Sequence, residues 1–105
     1  MSETLSYDPE AEKKYLASPA ASVHVASLLT ALGTLETFDD ASIEAAIRQT
    51  AADRGVKAGE LIHIARVAMT GRTTSPGIFE VLTLLGRDRV LGRLRQLATY
   101  LTAKG

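Results

Sequence analysis

The strongest constraint on the fold of this chain is that apolar residues recur three and four positions apart, and that such stretches run into glycine. Gly33, Gly55, Gly71 and Gly86 divide the sequence in this way. Glycine readily takes the left-handed conformation that ends a helix, so the pattern predicts a series of short helices. Aromatic residues make up 5% of the chain and no apolar/polar alternation persists, which argues against strands. The sequence therefore predicts an all-α domain, a compact bundle of about five to six short helices.

Helix start and stop signals place the predicted elements. Helix N-caps are predicted at Asp8, at Asp39 or Asp40, and at Ser75. A proline follows the first and the last of these, as is typical of the first helical position. Gly33 is predicted to take the left-handed C′ position that follows a helix. The predicted helices cover residues 9–18, 19–33, 40–54, 58–70, 76–85 and 88–103. Their inward faces are predicted to carry Val25, Leu28, Leu29, Leu32, Ile43, Ile47, Ala51, Leu61, Ile64, Ala65, Ala68, Ile78, Phe79, Leu82, Leu85, Val90, Leu91, Leu94, Leu97, Ala98 and Leu101.

Length and composition favour one domain. A chain of 105 residues, 46% of them hydrophobic, can bury one modest core, so a single domain over residues 1–105 is predicted. There is no cysteine, which excludes disulfides and thiolate metal sites. The N-terminus is polar and acidic, and no stretch approaches the roughly 18 apolar residues that cross a bilayer. These features favour a cytoplasmic protein without a membrane partner.

Charge is distributed unevenly, although the formal net charge is zero. Residues 1–53 carry three basic and nine acidic residues, a net charge of −6, while residues 54–105 carry nine basic and three acidic residues, a net charge of +6. Such asymmetry between two halves suggests a polyanionic partner for the basic half. The alternative is that the two halves attract each other in the folded protein.

The turn between the fourth and fifth predicted helices concentrates groups that can hold a phosphate or a base. Arg72 follows the helix stop, and three residues with hydroxyl groups, a proline and Gly77 come next. A helix N-terminus presents unpaired N–H donors to an anion. Arg66, near the end of the fourth helix, is close enough to bond a base edge at two points. The alternative is structural, with the turn serving as a helix start and Arg66 pairing with Glu60 or Glu80.

No catalytic site is predicted from the residues. His24 and His63 are isolated in the sequence from paired carboxylates and from each other, which argues against a metal or catalytic pair. The chain has no glycine-rich phosphate loop of the kind that binds ATP. We therefore expect no cofactor, no metal and no enzymatic activity.

One segment carries a family resemblance. Residues 63–94, HIARVAMTGRTTSPGIFEVLTLLGRDRVLGRL, resemble the C-terminal anticodon-binding domain of bacterial glutamyl-tRNA synthetase, a class I aminoacyl-tRNA synthetase. The shared pattern combines R-V-A-L-T-G, a Ser/Thr-Pro turn, an acid-bearing apolar helix, and L-L-G before a basic helix. The stretches YDPEAEKKYLA and IEAAIRQTAADRGVKAGELIHIARVA are also similar to the family, and residues 20–38 resemble it least. Two departures are that Ile64 and Ala65 stand where the family usually has a proline, and that its catalytic H-I-G-H and K-M-S-K-S elements are missing.

The resemblance implies a helical domain that receives the anticodon stem and loop of tRNA, with glutamate tRNA among the candidates. It implies that Arg66 and the turn at residues 75–78 contact an anticodon base. The basic second half adds arginines that hold phosphates, and the turn adds hydroxyls that adapt to the ligand. The predicted RNA-binding residues are Arg66, Arg72, Thr73, Thr74, Ser75, Pro76, Gly77, Ile78, Arg89 and Arg93.

The leading hypothesis is thus a non-catalytic RNA-binding module that binds tRNA or a tRNA-like stem-loop. The alternative is a protein-interaction module that has lost RNA binding and docks, on a protein partner or on itself, through its acidic half. An arginine-rich helix after Gly86 also suggests a DNA-binding helix-turn-helix. The turn lacks the usual spacing signals of that motif, so DNA is not expected as a partner.

Overall fold

The computed structural model describes residues 7–17, 19–72 and 77–104. Within these ranges the chain forms six helices and no strand, which confirms the predicted all-α class. The first, α1, starts as an α-helical turn at Pro9–Ala11 and continues as a π-helical turn at Glu12–Leu16. The others are α2 (Ala20–Gly33), α3 (Asp40–Arg54), α4 (Ala58–Thr70), α5 (Ile78–Leu85) and α6 (Arg87–Lys104).

Helix starts and ends follow from local hydrogen bonding. The Asp8 side chain accepts a hydrogen bond from the Glu10 N–H, and the Asp39 side chain accepts one of 2.8 Å from the Ser42 N–H. These bonds satisfy first-turn donors that have no partner inside a helix, and the bond from Ser42 lowers the pKa of the Asp39 carboxyl. Gly55 ends α3 in the left-handed conformation, with φ of 70°. The predicted N-caps at Asp8 and Asp39 and the predicted end at Gly55 are confirmed.

The end of α2 differs from the prediction. Gly33 is the last residue of the helix and does not have a positive φ. Thr34 follows with φ of −98°, and its N–H bonds to the Thr30 carbonyl at 3.2 Å. The Thr34 hydroxyl donates to the same carbonyl at 3.0 Å. The left-handed C′ role predicted for Gly33 is therefore wrong, because a threonine hydroxyl occupies the helix end instead.

The start of α5 is later than predicted. The helix begins at Ile78, with Gly77 at the N-cap position. Ser75 and Pro76, to which the prediction gave the N-cap and the first helical position, lie outside the described residues. The helix ends at Gly86 as predicted, with φ of 87° and ψ of 159°, a backbone conformation that glycine tolerates and other residues rarely adopt.

One apolar core holds the helices together. The central helix α2 packs most extensively on α6 and also contacts α3 and α4, while α5 packs on α3, α6 and α4. All of the residues predicted to face inward are buried or pack against this core as partly buried side chains. Full burial of one leucine or isoleucine side chain stabilises a fold by about 1.5–3 kcal/mol. The prediction missed the buried residues Ala11, Leu16, Ala21, Val67 and Met69.

Arg87 of α6 stabilises the connection between α2 and α3. Its guanidinium donates a hydrogen bond to the Leu35 carbonyl and lies 5.7 Å from the centre of the Phe38 ring. A second tie joins the start of α3 to α5, where the Thr83 hydroxyl donates to the Asp40 carboxylate. Although the sequence placed Arg87 in a polar helix start, the structure half-buries it as an anchor for this loop.

No single helix in the described part of the chain has the length and apolar character needed to span a membrane. The helices Pro9–Leu16 and Ala20–Gly33 have the required length and apolar composition when they are taken together, and the chain bends by 88° between them.

We predict that Gly55→Ala destabilises the protein by about 1 kcal/mol or more, because a side chain opposes the left-handed conformation that ends α3. No neighbouring atom lies within 4 Å of the place where the new Cβ would sit, so the cost is conformational. Gly59→Ala, in the first turn of α4 with equally open surroundings, is the matched control and is expected to stabilise by up to about 1 kcal/mol. Urea denaturation measures both, and equal stabilities of the two variants would contradict a conformational cost at Gly55.

Candidate functional site

The predicted site lies where α4 ends, and local hydrogen bonds fix the backbone there. The Thr70 hydroxyl donates to the Arg66 carbonyl at 2.8 Å, and the Arg72 N–H donates to the Thr70 hydroxyl oxygen at 3.1 Å. Gly71 has φ of 75°, and its N–H bonds to the Val67 carbonyl at 2.8 Å. The chain therefore leaves α4 along a defined path, and the exposed residue Arg72 comes directly after it.

Arg93 of α6 caps this end of α4. Its guanidinium donates a hydrogen bond to the Met69 carbonyl, one of the last-turn carbonyls that have no partner inside a helix. A cation is favourable there because the C-terminal end of a helix is partly negative. Arg93 is half-buried, whereas Arg89, one helical turn earlier, is exposed. The two arginines predicted to bind phosphates on α6 therefore differ, since Arg93 also has a structural partner within the protein.

The start of α1 packs against the same turn. Asp8 donates its backbone N–H to the Gly71 carbonyl at 2.7 Å, and the Tyr7 ring lies 4.8 Å from the Tyr100 ring. Burial raises the pKa of the Tyr7 hydroxyl, and the charge of Arg93 opposes part of that shift. The acidic half of the chain therefore reaches the turn, where its contact is made by main-chain atoms and the Asp8 carboxylate caps its own helix.

Arg66 contacts His63, which lies three residues earlier on α4. A guanidinium nitrogen of Arg66 is 3.2 Å from His63 Nδ1, and the His63 ring stacks on Tyr15 with centroids 4.8 Å apart and planes inclined by 16°. Partial burial lowers the pKa of His63, and the charges of Arg66 and Lys14 lower it further. The neutral ring that this favours can accept a hydrogen bond from a guanidinium. The prediction gave His63 no part in catalysis, metal binding or RNA binding; its spacing of three from Arg66 on one helix was the available signal.

Both histidines line one cavity of about 250 Å³ between α1, α2 and α4. His24 is 8% exposed, and its Nε2 lies 3.9 Å from a Glu60 carboxylate oxygen. The two histidines are distant in the sequence, and packing α2 on α4 brings both to this cavity, with the single carboxylate of Glu60 beside His24. Over residues 7–17, 19–72 and 77–104, no group of three histidine or acidic side chains is arranged to hold a metal ion.

The residues predicted to bind at the start of α5 have different environments. Gly77 is exposed at the N-cap. Ile78 is 3% exposed, so its side chain belongs to the core and its backbone is what it can offer a ligand. Glu80 lies in the first turn, where it competes with any anion for the positive end of the helix. The predicted residues Thr73, Thr74, Ser75 and Pro76 lie outside the described part of the chain.

The basic residues of the second half are divided between this site and other places. Arg66, Arg72 and Arg93 lie along or beside the last two turns of α4. Arg54 lines a groove between α2 and α3, and Arg87 fastens the α2–α3 connection. The net charge of +6 carried by residues 54–105 is therefore concentrated at the candidate site only in part.

Comparison with known proteins identifies similar chains. Residues 1–98 match the family model described as an anticodon binding domain. The chain is 41% identical over 97 residues to a glutamate–tRNA ligase of Geobacter sulfurreducens and 45% identical over 94 residues to one of Bradyrhizobium diazoefficiens. These alignments cover 92% and 90% of this chain but only 21% and 19% of the two ligases. The chain thus spans about one fifth of the length of these relatives.

A solved structure shares the fold. The crystal structure of a glutamate tRNA ligase from Elizabethkingia meningosepticum superposes with a TM-score of 0.85 over 91% of this chain and 19% of that one. The sequence identity is 24%, so this likeness establishes the helical architecture alone.

We predict that Arg93→Ala lowers the free energy of unfolding by about 1 kcal/mol, because it removes a charged hydrogen bond at the end of α4. Arg89→Ala, one turn away on the same helix and exposed, is the matched control and is expected to change stability by less than about 0.5 kcal/mol. Urea denaturation of both variants tests this difference. A loss of the same size in Arg89→Ala would show that the Met69 carbonyl contact is not its cause.

Proposed function

The chain belongs to the anticodon-binding domain family, and from this premise we propose that it binds the anticodon stem and loop of a tRNA, or a stem-loop of similar shape, without catalysing a reaction. The relatives are named glutamate–tRNA ligases, which makes glutamate tRNA the first candidate ligand and the cytoplasm the expected location. The match covers about one fifth of each ligase, and the sequence has no phosphate loop for ATP. The second observation supports a non-catalytic role for this stretch of sequence.

The observation that carries the proposal is the arrangement of arginines around the C-terminal end of α4. Arg66 lies on α4 one turn before its last residue, Arg72 follows the helix, and Arg93 donates to its Met69 carbonyl. Proteins position RNA through contacts to phosphates and read its sequence where unpaired loop bases meet side chains. These arginines offer both kinds of contact within about two helical turns, or about 11 Å.

We assign recognition of a base edge to Arg66 and contacts with phosphates to Arg72, Arg89 and Arg93. Arginine suits the first role because its planar group of N–H donors matches two acceptors on one base. Arg93 is expected to contribute least of the three to phosphate binding, because the Met69 carbonyl competes for it. We also propose that residues 73–78 shape the site for the base; residues 73–76 lie outside the described part of the chain.

A protein-interaction module is the second candidate function. The observation that favours it is exposed apolar surface outside the candidate site at the end of α4. Leu84 on α5 is 78% exposed, and Val23 on α2 is 42% exposed. Val23 also lines an open groove of about 400 Å³ between α2 and α3, together with Asp53 and Arg54. A module of this kind would dock on a protein partner or on a second copy of itself, and a concentration-dependent increase in mass would support it.

RNA binding at this site predicts a strong dependence on salt. Because each phosphate contact releases counterions, the logarithm of the affinity for tRNA should fall linearly with the logarithm of salt concentration, with a slope of about −2 to −3 for three or four contacts. A filter-binding titration against total tRNA measures this slope. Absence of binding at low salt would contradict the proposal and leave the interaction module as the better account.

Base recognition by Arg66 predicts a selective loss on mutation. Arg66→Ala should weaken binding of glutamate tRNA by about 5-fold to 100-fold, the value of a two-point contact with a base, and should weaken binding of a mixed tRNA pool less. Arg95→Ala removes one exposed arginine of α6 outside the assigned set and is the charge-matched control, with an expected change of about twofold or less. Equal losses for the selected and the mixed tRNA would contradict a base-reading role for Arg66.

A further inference from the structure

We infer that His63 is a positioning residue whose neutral form holds the Arg66 guanidinium in the orientation that reads a loop base, so that acid weakens base discrimination without weakening attraction to RNA. The inference rests on the proposed function and assigns regulation by pH to the same site. It concerns a residue for which the sequence alone predicts no part in RNA binding.

Two contacts fix the geometry of this pair. His63 Nδ1 lies 3.2 Å from a guanidinium nitrogen of Arg66, and the neutral ring can accept that N–H. The imidazole is itself held by stacking on Tyr15, with planes inclined by only 16°. Since Tyr15 belongs to α1, the orientation of Arg66 depends on how α1 packs against α4. A guanidinium with four rotatable side-chain bonds loses less freedom on binding when one bond already holds it.

The charged groups around His63 favour its neutral form. Lys14 of α1 and Arg66 of α4 bring positive charge, which opposes a second cation between them. The carboxylate of Glu60 lies on the same helix, and it approaches His24 of α2 at 3.9 Å. Burial and the two cations together place the pKa of His63 below its ordinary value. His63 also lines the cavity of about 250 Å³, which gives water and protons a route to the ring.

Protonation of His63 has two opposite effects on RNA binding. Both ring nitrogens of the imidazolium carry protons, so Nδ1 can no longer accept from Arg66 and the two cations repel each other. The base-reading group then loses this hydrogen bond. At the same time, one more positive charge beside a polyanion strengthens attraction that does not depend on sequence. If His63 acted only on the stability of the fold, acid would not lower base discrimination while keeping or raising the sequence-independent affinity for RNA.

The test compares two RNA probes at two pH values and constant ionic strength. The probes are a glutamate tRNA transcript and the same transcript with one anticodon base changed, chosen as the change that wild-type protein discriminates best. We expect a ratio of dissociation constants of about tenfold at about pH 8, the value of one good base contact, and a smaller ratio at about pH 5.5, where acid protonates part of the His63 population. Affinity for the altered transcript should stay constant or rise on acidification.

Three variants separate positioning from other effects of acid. His63→Asn keeps an acceptor that does not titrate, so its discrimination should be the same at both pH values. His63→Leu removes the acceptor and should discriminate poorly at both. His24→Asn removes the other histidine of the cavity and should keep the pH dependence of the wild type. Circular dichroism at each pH checks folding, and if His63→Leu does not fold, His63→Asn and the wild type still decide the question.

A measurement without RNA tests the pairing itself. Titration of His63 by nuclear magnetic resonance should give a higher pKa in Arg66→Gln than in the wild type, because the variant removes a neighbouring cation. An unchanged pKa would overturn the inference. Equal discrimination by the wild type at both pH values would overturn it while leaving the proposed function intact. Absence of discrimination at the higher pH would overturn it together with the base-reading role of Arg66, and absence of binding to either transcript would also overturn the proposed function.

Discussion

The carbonyl groups at the C-terminal end of α4 set the arrangement of the elements around them. The last carbonyls of a helix have no partner within it, so a bundle can bury that end only where another element supplies donors. Here α6 supplies the Arg93 guanidinium to the Met69 carbonyl, and the start of α1 supplies the Asp8 N–H to the Gly71 carbonyl. The first and last helices therefore converge on one helix end, and the exposed Arg72 emerges from the same place.

The helices and their buried faces could be predicted because an apolar stripe is a local and periodic property of the sequence. Some of the core residues that the prediction missed lie where that period fails. Leu16 lies in a π-helical turn, whose spacing differs from that of an α-helix, and Val67 and Met69 lie where α4 is surrounded on several sides. At the end of α2, the pattern could not distinguish Gly33 from the hydroxyl of Thr34, since both residues are able to close a helix.

The candidate site could be predicted only in part, because its contacts join distant segments of the chain. The spacing of Arg66 and His63 on α4 is visible in the sequence, but Tyr15 comes from α1 and Arg93 from α6. The distribution of charge in the folded protein could also be predicted only in part. The acidic and basic halves are separate in sequence, but folding brings Asp8 to the turn and places several basic residues elsewhere, so the sequence overstates how strongly the positive charge is concentrated.

The contact between the Asp8 N–H and the Gly71 carbonyl uses no side-chain atom. This contact with α4 is therefore compatible with any residue at position 8 that keeps a backbone N–H, whereas the cap on the Glu10 N–H requires a side chain that accepts a hydrogen bond. Proline is the exception because it lacks that donor. Docking on the fourth helix and capping of the first are thus separate demands on one residue, and Asp8 meets the first with its main chain and the second with its carboxylate.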